Sequence, residues 1–289
     1  MRSTVGVLRL QAGEDVKAWI NGRRRATIDH RDRGLQYGDG VFETMRVRRH
    51  RIRLLDLHLE RLYRSCRRLK IRAPEPARLQ RELERIAARR GEGILKLIVT
   101  RGVGPRGYRP LGNERATRIV SLHALPRVAP ADAAKAVRLR LCATHLSTNP
   151  SLAGLKTLNR LDAVLARAEW SDARIWEGLM RDVDGHYVCG TMSNLFLRRG
   201  SSLMTPLLDR CGVAGVMRRW ILSNAATLSL HAVERRIGWA ELKSAEEVFM
   251  SNAVVGIRSV RTIEGARSGK LRFSCSDTAQ RLRSLLDGQ

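Results

Sequence analysis

The chain has 289 residues, is 43% hydrophobic and carries a formal net charge of +26. That length builds one large domain or two ordinary ones, and the apolar share excludes a disordered chain. No apolar run is long enough to span a bilayer as a helix, which excludes that kind of membrane protein.

The charge invites a nucleic-acid reading, which its distribution argues against. Nearly all of it is arginine, scattered through every segment and gathered into neither a tail nor a stripe. Aromatic residues for base stacking make up 4% of the chain, and no helix-turn-helix, zinc-finger or RNA-binding signature is present. Coding bias in a GC-rich genome accounts for such a skew, so no nucleic-acid partner is expected. The opening stretch MRSTVGVLRLQAGEDVKAW lacks a signal-peptide core. Cys66, Cys142, Cys189, Cys211 and Cys275 are widely spaced and form no CxxC pair. Together these predict a cytoplasmic protein with neither a disulfide framework nor a metal site.

In chain order, KAWINGRRRATI predicts two short strands around Asn21-Gly22, a hairpin signal. Gly34, Gly38 and Gly40 break regular structure before a strand resumes at Val41. LLDLHLERLYRSCRRLKI has helical periodicity, and residues 76–90 predict a second helix. ILKLIVTRG and TRIVSLHAL are strands flanking the glycine-rich RGVGPRGYRPLGN. The Pro- and Ala-rich composition near 125–135 predicts a linker.

VRLRLCAT then predicts a strand, and from Leu155 the recurrence of Leu155, Leu158, Leu161 and Leu165 predicts a helix with Lys156 in its first turn. EGLMRDVDGHYVCGTMSNLFLRR predicts strands with an Asp184-Gly185 turn, and a helix is expected just after Gly215. EEVFMSNAVVGIRSVRTIEG supplies later strands and DTAQRLRSLLDG a closing helix. The expected organisation is α+β: an N-terminal extension over 1–16, a smaller domain over 17–124, the 125–135 linker, and a larger domain over 136–289 carrying Lys156.

Three constellations offer chemistry. A lysine at a helix start faces the positive end of the dipole, which favours a neutral amine, the form needed for condensation with a carbonyl; a solvated lysine is the ordinary alternative. GVAGVMRR puts a glycine before a helix and frees the Val216 and Met217 N–H groups for an anion such as phosphate, to which Arg46 could add a charged fork. GPRGYRP presents Arg106, Tyr108 and Arg109, which suit carboxylates; an exposed basic loop is the ordinary alternative.

DRGLQYGDGVFETMRV, TRGVGPRGY, NPSLAGLKTLNRL, GTMSNLF and CGVAGVMR, in this order and at these separations, resemble the fold-type IV pyridoxal-phosphate enzymes, the class IV aminotransferase family. Within it they look most like the 4-amino-4-deoxychorismate lyases. The resemblance implies a two-domain fold of mixed sheets with flanking helices and an active site at the domain interface. It also implies pyridoxal phosphate as cofactor, aminodeoxychorismate as substrate and a homodimer.

By the same resemblance Lys156 bonds the cofactor covalently, and Arg46 with the Val216–Met217 backbone holds its phosphate. Asn194 lies near the ring, and Arg106 and Tyr108 approach the substrate. Leu161 stands where the branched-chain aminotransferases have a tyrosine. Cys189 stands where most members have the glutamate that pairs with the pyridine nitrogen. A thiol there suits elimination driven by aromatisation of the substrate better than transamination. The alternatives are a D-amino-acid or branched-chain aminotransferase and a non-catalytic ligand-binding homologue.

Overall fold

Asn21 and Gly22 take φ of 52° and 83°, the left-handed pair that a two-residue hairpin between right-twisted strands needs. In the computed structural model, which describes residues 17–24, 27–125, 135–265, 269–274 and 277–288, this turn joins β1 (Lys17–Ile20) to β2 (Arg23–Arg24). The expected 1–16 extension, most of the expected linker, and Cys275 lie outside the described residues.

The chain divides into two compact units. The smaller contains the described residues up to 125 and the segment Leu155–Asn159. After β1 and β2 come α1 (Arg33–Tyr37), β3 (Gly40–Arg48), β4 (Arg51–Ile52), α2 (Leu55–Arg68), α3 (Pro76–Ala87), β5 (Glu92–Thr100) and β6 (Thr117–His123). The strands form one antiparallel sheet in the order β2-β1-β6-β5-β3-β4. Period-two alternation divides its faces. Val41, Met45 and Val47 of β3, with Leu95 and Leu97 of β5, join Leu62, Leu79 and Leu83 of the helices in one core. The other face carries Phe42, Thr44 and Arg46, in register with Ile98, Lys96 and Ile94. Helix α3 starts where its sequence says: Pro76 needs no donor in the first turn, and the Glu75 carboxylate accepts from the Ala77 and Arg78 N–H groups.

The larger unit contains β7 (Val137–His145), α4 (Leu161–Ala168), β8 (Ile175–Arg181), β9 (Tyr187–Gly190), β10 (Asn194–Arg199), β11 (Ser202–Pro206), α5 (Val216–Asn224), β12 (His231–Arg235), α6 (Trp239–Ser244), β13 (Glu247–Asn252), β14 (Gly256–Gly265), β15 (Gly269–Arg272) and α7 (Asp277–Asp287). Its nine-stranded sheet runs β12-β11-β10-β13-β14-β7-β8-β9, with β15 on β14, and β9 returns to β10 through the Cys189–Asn194 pair. Strands β7, β8 and β14 pair in parallel and the rest mostly antiparallel. Closure of β9 onto β10 buries both faces there, which is why YVCG and NLFL read as apolar runs without alternation. Among the described residues no helix is long and apolar enough to cross a membrane.

One expectation fails in a telling way. The helix anticipated from Leu155 begins at Leu161. Residues 155–159 lie outside any helix, with Phe42 N donating to Lys156 O at 3.0 Å, Leu158 N to Gly40 O at 3.0 Å, and Val41 bridging Thr157. Backbone groups that a helix would satisfy internally are taken by β3, so Lys156 groups with the smaller unit and not the larger. Lys156 is therefore not in the first turn of that helix.

Candidate active site

Lys156 lies over aromatic surface. Its Nζ is 4.0 Å from the centroid of the Phe42 ring, on the outward face of β3. A second ammonium, Lys96 of β5, is 5.5 Å from the same centroid. Strand alternation places Lys96 on that face, although no motif marks it. The turn before β3 is shaped to receive the lysine segment: Asn159 Nδ2 donates to Gly38 O, and a Cβ on Gly38 would lie 2.5 Å from Asn159 Oδ1. Gly38 also has φ of 64°, so only glycine suits both demands. Arg46 lies two residues further along this face than Thr44, its guanidinium on the Glu92 carboxylate and partly exposed.

In the larger unit, helix α5 opens at Gly215 with no side-chain cap. The Val216 and Met217 N–H groups therefore lie at an uncapped, positively polarised terminus while their side chains are buried. Asn194 sets this terminus. Its Nδ2 donates to Val213 O at 2.8 Å, and a Cβ on Gly215 would come within 2.0 Å of its Oδ1. Cys189 pairs directly with Asn194 across β9 and β10. Thus Cys189, Asn194, Val216 and Met217, distant in sequence, fall into one neighbourhood of the larger unit. Lys156 and Arg46 share a sheet face of the smaller one.

Cys189 is buried, and burial, with Cys211 and the Glu177 carboxylate adding to it, pushes its thiol up to about 12. It is a neutral thiol at any ordinary pH. Glu177, absent from the sequence reading, is 0% exposed and its carboxylate is fully engaged. One oxygen accepts from Gly178 N, Thr191 N and Thr191 Oγ1, the other from Met192 N and Ser193 Oγ. It shapes the 191–193 turn and cannot stand in for the carboxylate missing at Cys189. A lone Glu inside IWEGLM, ahead of a Thr- and Ser-bearing turn, was the available signal. Arg106 and Tyr108 lie on the exposed loop between β5 and β6. Leu161, at the start of α4, is 75% exposed.

Residues 40–263 match the family model described as amino-transferase class IV. The chain is 32% identical over 270 residues to the aminodeoxychorismate lyase of Vibrio harveyi, covering 93% of this chain and 99% of that one. It is 27% identical over 261 residues to the D-alanine aminotransferase of Bacillus licheniformis, covering 88% and 90%. The crystal structure of 4-amino-4-deoxychorismate lyase from Pseudomonas aeruginosa matches with a TM-score of 0.89 at 44% identity, covering 94% of this chain and 98% of that one.

Proposed function

Because the chain belongs to the class IV aminotransferase family, we propose that it is a pyridoxal-phosphate-dependent lyase converting 4-amino-4-deoxychorismate to 4-aminobenzoate and pyruvate, on the route to folate. Similarity to two such lyases over more than nine tenths of the chain supports this. The observation in this molecule that favours elimination over transamination is the buried, neutral Cys189 thiol.

The residues present fit the cofactor's two anchoring demands. Lys156 supplies a primary amine, and the uncapped α5 start a phosphate cradle. When bound, pyridoxal phosphate supplies a carbonyl that condenses with amines and a ring that withdraws electrons. By the resemblance, Lys156 Nζ would hold it covalently, and the Val216 and Met217 N–H groups would hold its phosphate, with Arg46 adding charge. Lys156 Nζ then takes the proton from the amine-bearing carbon of the substrate and returns it to the departing enolpyruvate. Arg106, with Tyr108 beside it, receives a substrate carboxylate. Loss of enolpyruvate makes the substrate ring aromatic, so the chemistry needs less electron withdrawal than a transaminase provides, and a thiol at position 189 suffices.

Incubation of the holoenzyme with aminodeoxychorismate should release 4-aminobenzoate and pyruvate in equal amounts. Transfer of the amino group to 2-oxoglutarate from a panel of D- and branched-chain amino acids should be slow by comparison. Cys189→Glu places a carboxylate where Arg160 exerts a positive charge. It should shift the cofactor's spectrum toward a protonated ring and raise transamination about tenfold, the equivalent of one pKa unit. A variant that changes neither spectrum nor transamination removes the argument from Cys189.

A homodimer is part of the same reading. Leu161, Val164 and Leu165 form one face of α4 and are 75%, 59% and 61% exposed, an apolar stripe that a second copy would cover. Light scattering should give the mass of two chains, and Leu165→Asp should shift it toward one; a wild-type monomer at working concentration would oppose the dimer. The reading places the protein in the cytoplasm and calls for no nucleic-acid or membrane partner.

A further inference from the structure

Arg33 is the first residue of α1, yet it is only 3% exposed. Its three guanidinium nitrogens are all directed. Nε donates to Asp39 Oδ2 at 3.0 Å, Nη1 to Gly107 O at 2.8 Å and Nη2 to Tyr108 O at 2.9 Å. The plane also lies 4.9 Å from the Tyr37 ring, and Tyr37 meets Tyr108 edge to face at 5.5 Å. Tyr37 Oη accepts from Gly107 N, so both polar backbone groups of Gly107 are held from α1. Asp39 is itself fixed by Arg101, which also donates to the Leu69 and Lys70 carbonyls.

These bonds converge on the backbone of one short stretch, Gly107–Tyr108, immediately after Arg106. The side chains of Arg106 and Tyr108 are left outside, Tyr108 85% exposed. Glycine is needed at 107, where φ is +101°. A loop whose tip is rigid while its charged side chains face solvent is a preorganised clamp, not a floppy basic segment.

We infer that Arg33 is a positioning residue for substrate capture: it fixes the Gly107–Tyr108 backbone so that Arg106 is presented to an anionic substrate in one geometry. The inference rests on the proposed role of Arg106 as the carboxylate-binding residue. A rigid planar fork reaching two successive carbonyls and a carboxylate is something lysine cannot reproduce, so Arg33→Lys should behave nearly as Arg33→Met does.

The test uses the holoenzyme and three variants, Arg33→Met, Arg33→Lys and Tyr37→Phe. The last removes one hydroxyl bond to the loop and leaves the buried charges in place. Tryptic cleavage of the Arg106–Gly107 bond, followed by mass spectrometry, reads the loop without any substrate. It should accelerate on the order of tenfold in both Arg33 variants, and less in Tyr37→Phe, as the open population rises. The KM for aminodeoxychorismate should rise ~10-fold, the worth of a charge-assisted contact, with kcat within about twofold and the cofactor absorbance unchanged. Cleavage at the wild-type rate in all three variants overturns the inference, whatever the reaction is. Faster cleavage with an unchanged KM overturns the capture role and, with it, the reading of Arg106, while leaving the lyase assignment to its own assay.

Discussion

Lys156→Ala is expected to yield a folded protein that has lost both turnover and the cofactor's absorbance near the visible edge. Truncation removes the primary amine that condenses with the cofactor and the base that moves the substrate proton, so turnover should fall by roughly 10⁴-fold or more. The fold should survive because the backbone, not the side chain, ties this segment down: Lys156 O accepts from Phe42 N, and Leu158 N donates to Gly40 O. Thermal unfolding is therefore expected within about 0.5 kcal/mol of wild type. Lys96, the other ammonium over the Phe42 ring, is the control. Lys96→Met should keep the absorbance band, since Lys96 is not the bonded amine. A retained band or measurable turnover in Lys156→Ala would remove Lys156 from the chemistry.

Much of this site could be read from residue types, and where it could not the reason lies in long-range pairing. The Asn21-Gly22 hairpin, the alternation of β3 and the glycine-led start of α5 are local signals, and local physics decides them. Lys156 is different. Its apolar neighbours recur at helical spacing, but Val41, more than a hundred residues earlier, pairs with Thr157 and keeps the segment out of the helix. The leucines of that false stripe then separate: Leu155 is 2% exposed, whereas Leu161 and Leu165 lie open on α4. Glu177 and Arg33 escaped for a related reason. Each is a charged residue whose partners come from remote turns, and in a chain crowded with arginine a buried one has no compositional mark. The family blocks named segments, but did not disclose which backbone each segment would join.

Glu43→Gln should strongly destabilise the smaller unit. Glu43 lies on β3 with its carboxylate facing away from Phe42 and Arg46, and it is 2% exposed. His58 Nδ1 is 2.6 Å from one oxygen, Arg61 Nε donates to the other at 2.8 Å, and Arg61 Nη2 adds a further bond. Burial alone would raise this carboxyl, but the Arg61 charge and the His58 contact outweigh it and hold the group at about 2. Removing the charge leaves the Arg61 guanidinium, 5% exposed, without its carboxylate, a loss of roughly 3–5 kcal/mol out of a typical total of 5–15. The urea midpoint should drop accordingly, and a midpoint within experimental error of wild type would refute the argument.

The pH dependence carries the sign. A carboxyl depressed in the folded state contributes stability that is complete above its unfolded value, near 4.3, and is lost as pH falls toward about 2. His58 is also depressed, by burial first, so the unfolded chain takes up its proton sooner and stability begins to fall below about 6.5. Wild type should thus weaken in two stages on acidification, and Glu43→Gln should lose the Glu43 share of the lower one, the part left coming from other depressed carboxyls such as Asp39. Because β3 bears this buried cluster on one face and the Phe42 ring under Lys156 on the other, the variant's residual turnover should also fail at a lower temperature, in step with unfolding of the sheet.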